Sequence, residues 1–148
     1  MSQALTPRLV ARDVAAAIEW YGAVFGARQV ERYTLPDGAI AHAAIEVYGS
    51  RVAFAEAAPK WHNHDPVALG GSPVILSLEV DDPDAVFARA LAHGARVIFP
   101  LADQPYGQRD GRFVDPFGHV WLIWKDVERL SPDEIQQRMA AYDPATDC

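Results

Sequence analysis

The first half of the chain reads as one amphipathic helix followed by short strands. Asp13 is a predicted N-cap, and apolar residues recur at helical spacing from there to about Phe25. Gly38 and Gly49 lie in two predicted turns between strands. The predicted strands are Arg8–Val10, Gln29–Leu35, Ile40–Tyr48 and Arg51–Glu56. This half therefore has the element order strand, helix, strand, strand, strand.

The same order recurs in the second half. A helix is predicted over Pro83–His93 with Gly94 as its C-cap. The predicted strands are Val74–Val80, Arg96–Phe99, Arg112–Val114 and His119–Trp124. The segment VARDVAAAIEWYGAVFGARQV matches VDDPDAVFARALAHGARVI in its acidic cap, Ala-rich helix and Gly-Ala-Arg ending. A repeat of this length indicates a duplicated module.

These elements predict an α+β fold for a single domain spanning residues 1–148. Two tandem βαβββ modules, at about 5–57 and 73–125, would form a curved mixed sheet, with a linker loop over 58–72. Ser131 and Glu134 form a capping box with Pro132 at the first helical position, which predicts a C-terminal helix at about 131–142.

Composition narrows the class of partner. A net charge of −7 and a pI near 5.1 argue against nucleic acid and anionic membrane surfaces. No apolar run approaches the roughly 20 residues of a membrane span, and no secretion signal is recognisable. The single cysteine, Cys148, excludes an intramolecular disulfide and suits a reducing compartment. We therefore expect a cytoplasmic protein.

Three segments carry a family resemblance: ARDVAAAIEWYGAVFGAR, AHAAIEVYGSRVAFAEAA and YGQRDGRFVDPFGHVWLI. In order and spacing they resemble the vicinal oxygen chelate superfamily, which includes glyoxalase I, bleomycin-resistance proteins and extradiol dioxygenases. Among its branches the chain looks most like the PhnB-like proteins, over residues 6 to 125. The resemblance implies a sheet that curls into an open cleft, and a homodimer.

Metal-using members of this superfamily take ligands from the first and fourth strands of each module, typically His or Gln, Glu, His and Glu. Counting from caps and turns, the matching positions here are Thr6, Phe54 or Glu56, Ile75 or Ser77, and Leu122. At most one of these is a good ligand, and one carboxylate does not hold a divalent ion against water. We therefore expect no metal and no cofactor.

Strand alternation indicates what lines the cleft instead. In Ile40–Tyr48, one face carries His42, Glu46 and Tyr48, while the opposite face is apolar. The other expected cleft residues are Phe54, Glu56, Ser77, Glu79, Leu122 and Trp124. Such a surface suits a small, partly aromatic molecule. Each residue also has a structural interpretation: His42 as a strand histidine, the glutamates as solvated charges, and the tryptophans as core.

Two loops offer further candidates. His62, His64 and Asp65 in KWHNHDP resemble a metal cluster only loosely, and a solvated loop or a lid is the favoured interpretation. In QPYGQRDGR, the side chains of Tyr106, Gln108 and Arg109 are candidates for orienting a ligand at the rim.

Three functions remain open from the sequence. The first is a metal-independent protein that binds a small, partly aromatic molecule. The second is a metal-dependent lyase, isomerase or dioxygenase, and the missing ligand residues count against it. The third is a metal-free enzyme that uses His42 or Glu56 as acid or base.

Overall fold

The computed structural model describes residues 3–146, and the first four strands form one mixed sheet. The elements of this first module are β1 (Arg8–Ala11), α1 (Val14–Phe25), β2 (Arg28–Thr34), β3 (Ile40–Val47) and β4 (Ser50–Glu56). The strand order is β1-β4-β3-β2, in which β1 is parallel to β4 and the other neighbours are antiparallel.

The second module repeats this arrangement. Its elements are β5 (Ile75–Glu79), α3 (Pro83–Ala92), β6 (Arg96–Asp103), β7 (Gln108–Val114) and β8 (Val120–Asp126). The order β5-β8-β7-β6 mirrors that of the first sheet. The α+β fold with tandem βαβββ modules is therefore confirmed, as two four-stranded sheets. Between the modules lie a short 3-10 helix, Pro59–Trp61, and α2 (Pro66–Leu69); after them come α4 (Pro132–Ala141) and a 3-10 helix, Pro144–Thr146.

The predicted caps form as expected. The side chains of Asp13 and Asp82 each accept a hydrogen bond from a first-turn amide, and Ser131 closes a complete capping box with Glu134. Helix α3 ends at Ala92 with His93 as its C-cap, one residue earlier than predicted, and Gly94 follows with a φ of 94°.

Two strands are longer than the sequence pattern predicts. β6 continues to Asp103, and β7 begins at Gln108 rather than Arg112. The polar run QRDGR does not look like a buried strand. It nevertheless pairs with β8 over its whole length, so backbone hydrogen bonding rather than apolar content sets the start of β7.

The two modules share one hydrophobic core centred on α1. Tyr21 stacks on Phe54 of β4, with 5.7 Å between ring centroids, and contacts Trp121 of β8 at 5.6 Å. Phe25 also lies 4.8 Å from Trp121. Because α1 contacts aromatic residues of both sheets, the core lies on the side of β4 that carries Phe54 and on the side of β8 that carries Trp121.

Hydrogen bonds also join the modules. Trp20 Nε1 donates to the His93 carbonyl at 2.7 Å, and His119 Nε2 donates to the Val10 carbonyl at 2.9 Å. Arg89 Nε donates to the carbonyl of Val24 at 3.0 Å. Within residues 3–146 no helix is both long and apolar enough to cross a membrane. Cys148 lies outside the described residues.

Candidate functional site

The side of the second sheet opposite the core carries two rows of polar and aromatic residues. We call this side the open face of the second sheet. Cross-strand pairing runs Ser77, Leu122, Arg112, Phe99 in the first row, and Glu79, Trp124, Asp110, Ala102 in the second. The residues between them, Trp121, Ile123 and Phe113, are buried in the core. Four predicted cleft residues, Ser77, Glu79, Leu122 and Trp124, thus share one face.

Asp110 is the most buried charged residue on this face, with 1% of its surface exposed. Its Oδ2 accepts a short hydrogen bond from the Tyr106 hydroxyl. Its Oδ1 is also buried but finds no hydrogen-bond partner among residues 3–146. Burial, together with the hydrogen bond and the charge of Asp110, raises the pKa of Tyr106 well above its usual value. Tyr106 therefore stays protonated and keeps donating to Asp110.

Arg112 lies two residues further along β7 on the same face. Its guanidinium carbon is 5.0 Å from the centroid of the Phe99 ring, a cation–π contact. Its Nε is buried and lacks an acceptor within the described part of the chain. Asp110 and Arg112 thus present an unused acceptor and an unused donor side by side.

A cavity of about 620 Å³ is lined by neighbours of these two residues, although neither Asp110 nor Arg112 belongs to its wall. Its wall combines aromatic and apolar side chains from β6, the β6–β7 turn and the C-terminal segment, and the lining residues are Phe99, Pro100, Ala102, Asp103, Gln104, Pro105, Tyr106, Met139 and Tyr142. Of these residues, Tyr106 donates a hydrogen bond to Asp110, and Ala102 is its cross-strand neighbour on β6. Phe99 contacts Arg112. The volume is within the usual range of small-molecule sites.

Helix α4 contributes Met139 to the cavity wall and is held in place mainly by polar contacts. Two nitrogens of Arg138 donate to the Glu128 carboxylate at 3.0 and 2.9 Å, and Nη1 also reaches the Pro105 carbonyl at 3.3 Å. The hydrogen bond from Arg138 lowers the pKa of Glu128. No residue of α4 is buried, and this ion pair joins the helix to the segment that follows β8.

The open face of the first sheet carries a second polar network, built around His42. Arg8 donates to His42 Nδ1 at 3.0 Å, and His42 Nε2 contacts the Glu31 carboxylate at 2.7 Å. Arg51 donates to the other oxygen of Glu31 at 2.8 Å. The hydrogen bond from His42, together with the charge of Arg51, lowers the pKa of Glu31. Because a guanidinium can only donate, Nδ1 accepts from Arg8, which leaves Nε2 to donate to Glu31.

Phe54 and Glu56 do not lie on the face that His42 occupies, which corrects the expectation that all three line one cleft. Phe54 is fully buried against Tyr21 and pairs with Ala43, on the core side. Glu56 follows two residues later on that same side. The predicted facing of β4 was therefore wrong by one residue. Its open face carries Arg51, Ala53 and Ala55.

The remaining candidates are dispersed. Glu46 is on the open face of the first sheet, paired with Arg28 at 3.4 Å. Tyr48 lies in the β3–β4 turn with a φ of 47°. Gln108 shares the Asp110 side of β7 and bonds Asp126 at 3.3 Å. Arg109 points the other way, where it forms ion pairs with Asp84 at 2.7 Å and Asp103 at 3.2 Å, so it stabilises the start of α3 rather than the cavity.

The linker histidines form no ligand set. The rings of His62 and His64 are 6.0 Å apart, while Asp65 caps α2 and accepts from Arg12 at 2.9 Å. Across residues 3–146 no group of three or more His, Cys, Asp or Glu residues is arranged to hold a metal. Trp61 is 70% exposed, so it does not pack inward as a lid residue would.

Asp110 and Arg112 were not among the candidates from the sequence, although a signal for them existed. In QRDGRFV, strict alternation puts residues 108, 110 and 112 on one face. Starting the strand at Arg112 hid that alternation. Glu31 and Arg8, the partners of His42, carry no local signal because they lie on other strands.

Comparisons with known proteins identify the family of this chain. The family model described as Glyoxalase/Bleomycin resistance protein/Dioxygenase superfamily matches residues 4–123. The chain belongs to this superfamily. An uncharacterized protein of Mycobacterium bovis is 41% identical over 141 residues, which cover 93% of each chain.

Solved structures of other proteins share the fold. TioX from Micromonospora sp. ML1 is 27% identical with a TM-score of 0.66, covering 84% of this chain and 99% of that one. The PhnB protein from Bacillus cereus is 19% identical with a TM-score of 0.59, covering 82% and 98%. At 19% identity, the similarity to the PhnB protein shows only that the two chains share a fold.

In this superfamily member, the positions that correspond to metal ligands carry poor donors. Ile75, Ser77 and Leu122 are on the open face of the second sheet, and Ser77 is the cross-strand partner of Leu122. In the first module, exposed Thr6 precedes β1, and the open-face positions of β4 near it are alanines. Leucine, isoleucine and alanine offer no lone pair to a cation, and isolated neutral hydroxyl groups hold a divalent ion poorly, so this set does not fit a divalent metal.

Proposed function

We propose that this protein binds a small, partly aromatic molecule, without metal, in the cavity between the open face of the second sheet and α4. The observation that carries the proposal is the cavity itself, whose volume of about 620 Å³ and largely aromatic and apolar wall suit a molecule of this kind.

The chemistry of the wall supports an aromatic ligand. Phe99, Tyr106 and Tyr142 offer ring faces, and Met139 offers a polarisable side chain that adapts to flat molecules. The polar side chains of the wall are few: Asp103, Gln104 and the hydroxyl groups of the two tyrosines. That combination of apolar wall and sparse polar anchors is typical of small-molecule sites.

A fragment screen by ligand-observed NMR tests the proposal, with Ala102→Trp as the blocking variant. Ala102 lines the cavity from the exposed surface of β6, so the indole would fill the space without disturbing the core. The matched control is Ala41→Trp, at an exposed position of β3 in the other module. Aromatic fragments should bind the wild type and the control but not Ala102→Trp. Equal binding to all three proteins would remove the cavity from consideration.

A metal-free acid–base enzyme is the second candidate, and the His42 network favours it. His42 is 26% exposed and is oriented by Glu31, the arrangement in which a carboxylate positions a catalytic imidazole. Its partner would be Glu31 rather than Glu56. If turnover of any carbonyl substrate is found, His42→Ala should abolish it and Glu31→Gln should reduce kcat. A metal-dependent lyase, isomerase or dioxygenase has less support, because its ligands are missing.

A homodimer and a cytoplasmic location stay predictions. Several large apolar side chains are exposed on the first sheet and the β5 edge, including Tyr33 at 61% and Ile75 at 45%, as expected for a surface that a second copy covers. Light scattering coupled to size-exclusion chromatography should give twice the 16.2 kDa chain mass.

A further inference from the structure

We infer that the molecule held in this cavity is an aromatic cation, such as a phenyl ring that carries a quaternary ammonium group. This inference rests on the proposed function and adds the chemical class of the ligand. The cationic group would lie against the tyrosine rings of the wall, in the field of the Asp103 carboxylate. It needs no contact with the buried atoms of Asp110 or Arg112.

The cavity wall, as the structure describes it, carries one charged side chain, and that charge is negative. Asp103 is the last residue of β6, and 68% of its side chain is exposed, so its carboxylate is accessible. No lysine, arginine or histidine belongs to the described wall. An anionic ligand would therefore meet a like charge with no cation beside it in the wall, whereas a cationic ligand is attracted.

The ion pair with Arg109 leaves part of this negative charge uncompensated. Arg109 donates two hydrogen bonds to the Asp84 carboxylate, at 2.9 and 2.7 Å, but a single one to Asp103, at 3.2 Å. One guanidinium is thus shared by two carboxylates, and the group of three keeps one negative charge in excess. Asp103 is the more weakly paired of the two acids, so it is the one available to a ligand.

The aromatic residues of the wall also suit a cation. The faces of phenylalanine and tyrosine rings attract cations that lie within about 6 Å of the ring centre. Phe99 already makes such a contact, because the guanidinium carbon of Arg112 lies 5.0 Å from its ring centroid. Since Phe99 already holds a cation, Tyr106 and Tyr142 are the other aromatic residues of the wall that a cationic ligand would contact.

The hydrogen bond of Tyr106 strengthens this preference. Its hydroxyl donates to the carboxylate of Asp110, which is 1% exposed. A phenol that donates to a carboxylate is polarised, and its ring becomes richer in electrons. Because the attraction between a ring and a cation is electrostatic, an electron-rich ring binds a cation more strongly. Asp110 thus acts through Tyr106 and not by touching the ligand.

Three phenols of nearly the same shape test the charge of the ligand. The first, meta-hydroxyphenyltrimethylammonium, is cationic; meta-tert-butylphenol is its neutral isostere, and meta-hydroxybenzenesulfonate is anionic. Isothermal titration of the full-length protein at neutral pH should give a Kd at least tenfold lower for the cation than for the neutral isostere. Tenfold corresponds to about 1.4 kcal/mol, the size of one partly desolvated cation–π contact. The sulfonate should bind most weakly.

Protein variants test whether the wall causes this preference, expressed as the ratio of the Kd of the neutral isostere to that of the cation. Asp103→Asn can still accept from Arg109 but lacks the charge, so the ratio should fall by roughly threefold or more. Tyr142→Leu keeps an apolar contact and removes the ring, and the ratio should again fall by roughly threefold or more. The matched control is Asp81→Asn, because Asp81 is exposed and follows β5, the opposite edge strand of the same sheet. It should leave the ratio unchanged.

The outcomes separate the ligand class from the site. If the cation and its neutral isostere bind equally, and Ala102→Trp abolishes both, the cavity is a ligand site but the inference of a cation is overturned. Tighter binding of the sulfonate, or a cation preference undiminished in both Asp103→Asn and Tyr142→Leu, would overturn it as well. If the cation binds Ala102→Trp as tightly as the wild type, it binds elsewhere on this acidic chain, and both the inference and the site are wrong. The comparison of the three phenols uses the wild type, so it decides even if a variant does not fold.

Discussion

The hydroxyl of Tyr21 in α1 donates a hydrogen bond to the carboxylate of Asp115, which is 94 residues away in the sequence. Asp115 is 4% exposed, and its oxygens also accept from Trp121 Nε1 at 2.9 Å and from the amides of Phe117 and His119 at 2.8 and 3.0 Å. Four donors satisfy this buried carboxylate. The turn that begins with Asp115 is thereby fixed to the helix of the other module.

Tyr21→Phe should therefore destabilise the whole fold. The substitution keeps the ring packing and removes only the donor, leaving the Asp115 carboxylate one hydrogen bond short in a buried site. We expect a loss of about 1–3 kcal/mol in the free energy of unfolding, measured by urea denaturation. Tyr33→Phe is the control, because Tyr33 is 61% exposed, and it should change little. A Tyr21→Phe protein as stable as the wild type would contradict the role of this bond.

The same bond predicts alkaline sensitivity. Burial, and then the charge of Asp115, raise the pKa of Tyr21 above its ordinary value of 10.0. The folded state thus keeps the phenol protonated, whereas the unfolded chain releases the proton. The contribution of this residue is fully present below pH 10 and decreases above it. Wild-type stability should fall more steeply above pH 10 than that of Tyr21→Phe, as followed by circular dichroism.

Two glycines with the same backbone conformation separate packing from backbone strain. Gly118 and Gly38 have φ values of 89° and 88°. A Cβ on Gly118 would lie 2.7 Å from Pro66 Cβ, whereas one on Gly38 would meet nothing within 4 Å. Gly38→Ala should cost roughly 1–2 kcal/mol from the left-handed conformation alone. Gly118→Ala should cost more in thermal denaturation, because α2 must shift. Equal costs would mean that the linker accommodates the methyl group freely.

Acid should weaken the first sheet through Glu31. The hydrogen bond from His42 and the charge of Arg51 hold the pKa of Glu31 below its ordinary value of 4.5. Its contribution to stability is present above that value and is lost as the pH falls through the lowered pKa. The difference in melting temperature between wild type and Glu31→Gln should therefore shrink below pH 4.5. Glu19→Gln, at an exposed position of α1, should show no such convergence.

The purified protein should hold no stoichiometric Zn, Ni, Fe or Mn by elemental mass spectrometry, and chelator should leave its melting temperature unchanged. Leu122→Glu should not create a metal site, because Ile75 and Ser77 beside it supply no strong ligand. The new carboxylate would instead lie next to Arg112, its cross-strand neighbour. Tight metal binding by the wild type would show that another ligand set exists.

The local elements of this protein follow from its sequence because their signals are local. A cap such as Asp13 or Ser131 bonds an amide three residues away, so the helix start is encoded within one turn. The repeat of cap, helix and strand extends this to the fold class. Alternation also assigned His42 and Glu46 to one face of β3 correctly.

Tertiary structure decided which residues meet. The sequence predicted Phe54 and Glu56 on the open face, but both lie on the core side of β4. Strand side chains alternate with a period of two, so an error of one residue reverses the face of every residue in the strand. The Tyr21–Asp115 bond and the His42–Glu31–Arg51 network join different elements, so no local pattern encodes them. Whether Asp110 Oδ1 finds a donor depends on every neighbour that might have bonded it, and only the packed structure reveals that none does so among residues 3–146.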